Sequence, residues 1–342
     1  MTGNGHENET TRLRQLIMGF RTTQLVYVAA KLGLADHLAS GPLLPSDLAQ
    51  IVGANPDALY RLLRALASLG IFAELVDGRF AMTPAGALLR RDRPGTLHST
   101  AVLYGDEVLW GAYGQLLHSV QTGKSAFAHL YGHSFYEYLD QHAGTATLFH
   151  NAMTGFSELE AAAIIAAFDL SSVRTMVDVG GGQGALAATL LRCHPSLHAV
   201  VFDRAAPAEE TLEQLARPDI AGRGKFVQGD FFTAVPEGAE LYLLKSVIHN
   251  WDDDSAAAIL RTCAKAMLPD ARLLIAERMI PPGNGPSEAK LFDINMLVTV
   301  GGRERTQAQY ATILRSAGLR LRKVTPTASH LSLIEAEMTE QE

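Results

Sequence analysis

The sequence predicts an α/β protein in which a helical, winged-helix-like module precedes a domain built on a mostly parallel sheet. Three observations carry this prediction. Apolar residues in the first half recur at helical spacing, Asp77-Gly78 divides two short apolar runs just after a helix stop, and from Arg174 onward strand-like runs alternate with helical stretches.

From Thr11 to Lys31, Leu13, Leu16, Ile17, Phe20, Leu25 and Val28 predict one long amphipathic helix. A shorter helix is expected near Ser46 to Ile51. Asn55-Pro56 then supplies an N-cap with proline at the first helical position, and Gly70 ends the helix carrying Leu59, Leu62, Leu63, Leu66 and Leu69. The runs on either side of Asp77-Gly78, between Ile71 and Met82, read as a hairpin. The segment from Thr96 to Phe168 continues helical and is rich in aromatic residues. Strands are expected at 174–179, 199–202, 225–228, 241–244 and 273–276, in the order that builds a parallel sheet covered on both faces. After a helix from Thr306 to Ser316, two strands without an intervening helix, at 319–324 and 330–336, predict an antiparallel hairpin at the sheet edge. The expected domains are 1–165 and 166–342.

Composition narrows the function. The 342 residues are 47% apolar and 19% charged, which supports two buried cores, and no apolar run approaches the roughly 20 residues of a membrane span. A membrane partner is not expected. Helix, turn, helix and wing is also an order used to bind DNA, but the segment from Leu44 to Arg90 holds four arginines against four acids, and the whole chain carries a net charge of −7. A protein that neutralises phosphates should be basic, so no nucleic-acid partner is expected and a packing and dimerisation module is favoured over a DNA-reading one. Two cysteines, Cys193 and Cys263, are too few for a disulfide scaffold or a closed zinc site. With a polar, acid-bearing start that lacks a signal-peptide pattern, this predicts a cytoplasmic protein. His129 and His133 lie four apart without an HExxH pattern, and no metal is expected.

The first strand of the α/β half runs into Val177-Asp178-Val179-Gly180-Gly181-Gly182-Gln183-Gly184-Ala185. Glycines there allow a tight turn and let a ligand approach the main chain. The pattern Gly180-x-Gly182-x-x-Ala185, with Asp203 about where a ribose-binding acid falls, fits NAD or S-adenosylmethionine. Asp178 opposes a pyrophosphate and suits a ligand with cationic groups. Gly229-Asp230-Phe231 follows the third strand and offers an acid and an aromatic face to an adenine.

After the fourth strand comes Lys245-Ser246-Val247-Ile248-His249-Asn250-Trp251. Ligands of open α/β sheets bind beyond the carboxyl ends of the strands, so His249 stands where a base is needed, and an imidazole can accept a proton near neutrality. Glu277 ends the fifth strand at the same edge, and Glu304 follows the Gly301-Gly302 turn. A carboxylate beside an imidazole fixes its tautomer and stabilises the imidazolium, so both acids are expected to orient His249.

Taken together, Gly180–Gly184, Gly229-Asp230-Phe231, His249-Asn250-Trp251, Ala276-Glu277 and Gly301-Gly302-Arg303-Glu304-Arg305-Thr306 resemble the S-adenosylmethionine-dependent O-methyltransferases of the caffeate type. The bacterial branch acting on anthracycline, mitomycin and other aromatic antibiotic precursors is the nearest likeness. The resemblance covers nearly the whole chain. It implies a Rossmann-like class I methyltransferase domain behind an N-terminal dimerisation domain, hence a homodimer. It also implies methyl transfer to a hydroxyl of a small aromatic substrate, with His249 as general base and Glu277 and Glu304 beside it. The cofactor positions implied are Ser157, Asp178, Gly180, Gly182, Asp203, Gly229, Asp230, Phe231, Lys245 through its main-chain oxygen, and Trp251. The substrate-facing positions implied are Phe149, Asn151, Met153, Asn250 and Met296. Asn250 departs from the acid common after this histidine in plant members. Some members of the family do other chemistry on the same fold, so C- or N-methylation and non-methylating reactions are the alternatives, with an NAD-dependent oxidoreductase as a remote one.

Overall fold

The structure is a computed structural model that describes residues 3–204, 208–220 and 222–339. It divides into two compact units, the first ending at Trp110 and the second beginning at Gly111.

The helix expected over 11–31 is two helices, Gly3–Ile17 and Phe20–Lys31. The break falls at Met18-Gly19, where the Gly19 N–H turns back to the Leu16 carbonyl at 3.2 Å. Glycine in a helix interior costs about 1 kcal/mol relative to alanine, which makes this the cheapest place to interrupt the run. Helices Pro45–Val52 and Pro56–Ser68 follow, the second capped by the Asn55 side chain, which accepts the Ala58 N–H at 3.0 Å. Strands β1 (Phe72–Glu74) and β2 (Phe80–Met82) pair antiparallel, and Gly78 takes the positive φ of 79° that the wing turn requires. Leu48, Leu63, Leu66, Phe72 and Phe80 are buried together as the core of this unit. Leu13, Leu16, Ile17 and Phe20 point outward, each more than half exposed (59%, 69%, 60% and 53%).

The second unit opens with short helices, among them Phe135–Gln141, and the long helix Ala143–Ala167. Its sheet holds β3 (Thr175–Val179), β4 (His198–Asp203), β5 (Gly224–Gln228), β6 (Leu241–Lys245), β7 (Arg272–Glu277), β8 (Leu319–Pro326) and β9 (Ser332–Met338). The strand order is β5-β4-β3-β6-β7-β9-β8, parallel from β3 to β7, with β9 antiparallel to both of its neighbours. Both faces are covered, as period-two alternation shows: Tyr242, Leu244, Leu273 and Ile275 enter one buried cluster, and Leu241, Leu243, Leu274 and Ala276 the other. Helix Ala143–Ala167 buries Ala161 and Ile164 in the core cluster of the sheet itself.

The chain leaves β3 toward β4 and β5 on one side and returns to β6 and β7 on the other. At such a switch point the loops after β3 and β6 diverge and leave a crevice at the carboxyl edge, which is where the glycine loop and His249 both arrive. Among the described residues no helix is long and apolar enough to cross a membrane.

Leu63 is fully buried at the centre of the first unit. Leu63→Ala should therefore cost about 2–5 kcal/mol in that unit, read as a lower denaturant midpoint by circular dichroism, whereas an unchanged midpoint would contradict the assigned core.

Candidate active site

The glycine loop is shaped by three positive φ angles, 72° at Gly180, 56° at Gly182 and 73° at Gly184. Gly180 donates to the Phe202 carbonyl at 2.8 Å, and a Cβ on it would stand 2.7 Å from Val247 Cγ2. The loop after β3 thus touches the turn after β6, and only glycine permits the approach. A Cβ on Gly182 would meet nothing within 4 Å, so this backbone borders open space. The Gly182 N–H donates to Asp203 Oδ2 at 2.8 Å. Burial raises the Asp203 carboxyl above its ordinary range, and the N–H groups of Gly182 and Arg204 work against that rise.

Beneath the loop, Asp178 is 2% exposed and its Oδ2 has no partner among the described residues. Burial pushes its carboxyl up to about 7, with Lys245 opposing and Asp203 reinforcing. An unpaired acid at that depth is suited to a cationic ligand group. At the end of β5, a Cβ on Gly229 would lie 2.4 Å from the Phe202 ring, so the chain passes closely and presents Asp230 and Phe231 at the edge. Asp230 accepts the Phe232 N–H at 2.9 Å and is exposed. Phe231 and Phe232 meet the Trp251 ring edge-on, at 6.1 and 4.8 Å, and Tyr136 stacks on Trp251 at 6.4 Å. The Trp251 Nε1 is buried without a partner among the described residues. Aromatic walls, an orphan N–H, the acid Asp203 and the unpaired Asp178 fit the purine, ribose hydroxyls and cationic groups of a sulfonium nucleoside such as S-adenosylmethionine. Lys245, expected to act through its main-chain oxygen, uses its side chain to tie β6 to helix Ala143–Ala167. Its Nζ lies 2.8 Å from Glu160 Oε2 and donates to Ser157 Oγ at 3.2 Å, while Ser157 donates to the Met153 carbonyl.

His249 sits in a tight turn of residues 248–250 entered through Ser246, whose φ of 56° is the only positive value of a non-glycine among the described residues. Such a conformation persists only where surrounding contacts over-determine it. Here they do. Ser246 N–H donates to the Ala276 carbonyl at 3.1 Å, and the Asn250 amide donates to the Ser246 carbonyl at 3.2 Å. Glu277 Oε1 accepts the N–H groups of Val247 (3.0 Å) and His249 (3.1 Å), and its Oε2 accepts the Tyr310 hydroxyl. Arg305, fully buried, donates to the carbonyls of Ile248 (3.1 Å) and Trp251 (2.8 Å) and to Asp253 (2.9 Å). Gly302 lies so close beneath that a Cβ would meet the His249 carbonyl oxygen at 2.1 Å.

The two expected carboxylates act differently. Glu304 Oε1 lies 2.8 Å from His249 Nδ1, whereas Glu277 holds the main chain of the turn and not the ring. Glu304 is positioned in turn by Asp293, which accepts its backbone N–H at 2.8 Å. Burial by itself would push the His249 imidazole down, but the charge and hydrogen bond of Glu304, aided by Glu277, leave it above its ordinary value. Burial likewise drives the Glu277 carboxyl and the Tyr310 phenol upward. With the Nδ1 proton directed at Glu304, the basic nitrogen of the neutral ring is Nε2.

Phe149, Met153 and Ser157 follow at four-residue spacing on one face of helix Ala143–Ala167, and Phe149 packs on Phe135 at 5.1 Å and on Tyr136. Asn151 is two residues out of step with them and exposed. Met296 is buried on helix Glu288–Thr299. His129 stacks on His118 at 3.8 Å, and no metal-holding cluster occurs among the described residues. Sequence reading missed Ser246, Arg305, Tyr310 and Asp293. Arg305 stood within the quoted Gly301–Thr306 motif, but the burial that gives it a role is a tertiary property.

Comparison with known proteins agrees with this geometry. The family model of the O-methyltransferase domain matches residues 113–320, and that of the O-methyltransferase dimerisation domain matches residues 14–92. A phenazine O-methyltransferase from Lysobacter antibioticus is 39% identical over 324 residues, covering 95% of both chains. The crystal structure of LaPhzM superposes with a TM-score of 0.92 at 38% identity, over 96% of this chain and 99% of that one. A structure of an O-methyltransferase from neocarzinostatin biosynthesis, NcsB1, holds S-adenosylmethionine and 2-hydroxy-5-methyl naphthoic acid. It matches with a TM-score of 0.77 at 34% identity, over 93% of this chain and 96% of that one. The chain belongs to the O-methyltransferase family, with that family's dimerisation domain preceding its catalytic domain.

Proposed function

We propose that this protein transfers a methyl group from S-adenosylmethionine to a hydroxyl of a small aromatic natural-product acceptor, with His249 as the general base. The observation that carries the proposal is the buried contact of 2.8 Å between His249 Nδ1 and Glu304, which leaves Nε2 to receive a proton. A bound sulfonium nucleoside supplies an activated methyl group, so the protein's work is orientation and proton removal. Asp203 takes the ribose hydroxyls. Asp230, Phe231 and Trp251 surround the adenine, and the main chain at Gly180, Gly182 and Gly229 lets the ligand approach. Asp178, Ser157 and the Lys245 carbonyl serve the amino-acid end. His249 Nε2 accepts the hydroxyl proton while Glu304 stabilises the imidazolium, and Glu277 with Arg305 holds the turn still. Phe149, Met153, Asn250 and Met296 are the acceptor-facing residues of this reading, with Asn151 at its edge.

An NAD-dependent oxidoreductase is not favoured, since the unpaired carboxylate of Asp178 under the loop would oppose a pyrophosphate. C- or N-methylation and non-methylating reactions have no specific observation in their favour. A cytoplasmic location belongs to the same proposal, supported by two unpaired cysteines, of which Cys263 is buried with its thiol pushed up to about 12.

Three outcomes are expected. His249→Ala should lower kcat/KM about 10²–10⁴-fold in an assay with labelled cofactor and phenolic acceptors, while calorimetry still detects cofactor binding. Turnover near the wild-type rate would sink the base assignment. Because the neutral imidazole is the active form, the rate should rise with pH through the raised His249 pKa. Glu304→Gln removes the charge that raises it, so the inflection should move to lower pH; an inflection that stays in place would contradict the pairing. Light scattering should report a dimer of the 36.8 kDa chain, and Leu16→Asp on the exposed apolar face should shift it toward monomer, whereas a monomeric wild type would count against the dimer.

A further inference from the structure

Arg278 follows Glu277 at the carboxyl end of β7, the edge of the sheet at which His249 stands. It is 7% exposed, yet among the described residues its guanidinium makes no ion pair or hydrogen bond, and its Nε is buried without a partner. Among the described residues its one specific contact is a ring: Cζ lies 3.9 Å from the centroid of Phe292, on helix Glu288–Thr299. The His249 imidazole stacks on the same Phe292, with centroids 6.0 Å apart and planes within 19°. A permanent cation and the proposed base therefore share one aromatic wall. A largely buried guanidinium without a counter-charge is costly unless a partner completes it. Stacking uses the flat face of the group and leaves its in-plane N–H groups for a planar acceptor.

We propose that Arg278 is the subsite for an anionic substituent of the acceptor, a carboxylate carried on the aromatic ring system whose hydroxyl is presented to His249. This inference rests on the methyl-transfer reading and names the substrate class for it: hydroxylated aromatic carboxylic acids. The reacting oxygen is a weaker candidate for the same guanidinium. That oxygen is served by Nε2 and becomes charged only as its proton leaves, whereas the Arg278 charge is present and unpaired before any reaction. A carboxylate matches the guanidinium fork with two parallel hydrogen bonds, which a single phenolate oxygen cannot do.

The test compares 1,4-dihydroxy-2-naphthoic acid with its carboxamide by calorimetry in the presence of S-adenosylhomocysteine, at a pH where the acid is ionised. The wild-type protein should bind the acid at least about tenfold more tightly than the carboxamide, the equivalent of roughly 1.4 kcal/mol. Arg278→Met should bring that ratio to within about twofold. Arg278→Lys, which keeps the charge without the fork, should retain part of it. Unchanged affinity for S-adenosylhomocysteine in both variants serves as the control for folding. Equal binding of acid and carboxamide by the wild type would overturn the proposal, and so would parallel weakening of both probes in Arg278→Met, which would assign Arg278 to the reacting oxygen or to packing. The readout is binding without turnover. Absence of methylation would therefore fault the proposed reaction alone, and absence of discrimination would fault the subsite alone.

Discussion

The arrangement at the carboxyl edge of the sheet depends on one buried contact, His249 Nδ1 to Glu304 Oε1. Both side chains are almost completely removed from water, and Glu304 Oε2 has no partner among the described residues. Taking two ionisable groups out of water costs several kcal/mol each, and their attraction repays this only when geometry is tightly held. The surrounding hydrogen bonds do that holding. Glu277 and Arg305 secure the N–H and carbonyl groups of the turn, Asp293 secures the backbone of Glu304, and Gly302 lets the two segments touch. A network in which every member fixes another is rigid, and rigidity at the proposed base is what orientation-limited chemistry requires.

The same economy of contact explains the glycines. Gly180 and Gly302 both adjoin the turn after β6, and at each a Cβ would collide with it, with Val247 in one case and with the His249 carbonyl in the other. The topology brings them there because β3 and β6 are neighbours whose connections diverge. Acids gathered at this edge serve different ends. Asp203 is satisfied by backbone N–H groups, Asp178 is left unpaired, and Glu277 is spent on the main chain.

Much of this was legible in the sequence. The alternation of strands and helices, the wing hairpin and the closing antiparallel pair followed from periodicity and turn residues, which are local properties. The candidate base and Glu277 could be placed at one edge because strand ends are local too, whereas Glu304 follows a turn and was joined to them by the resemblance. What periodicity could not show was the division of labour between the acids, since Glu277 and Glu304 are chemically alike and only the packed structure distinguishes a main-chain holder from a ring partner. The break at Gly19 was missed because the apolar pattern continues across it. Ser246 gave no signal at all, for a positive φ is ordinarily announced by glycine.

The central claim is that Glu304 fixes His249 as the Nδ1-protonated tautomer and raises its affinity for a proton. Nitrogen-15 spectra of the histidine side chains, assigned to His249 by its loss in His249→Ala and followed across pH, test this directly. The account predicts a neutral ring with a protonated Nδ1 and an unprotonated Nε2, which takes up its second proton above the ordinary range near 6.5. A neutral ring protonated at Nε2, or protonation below that range, would contradict it.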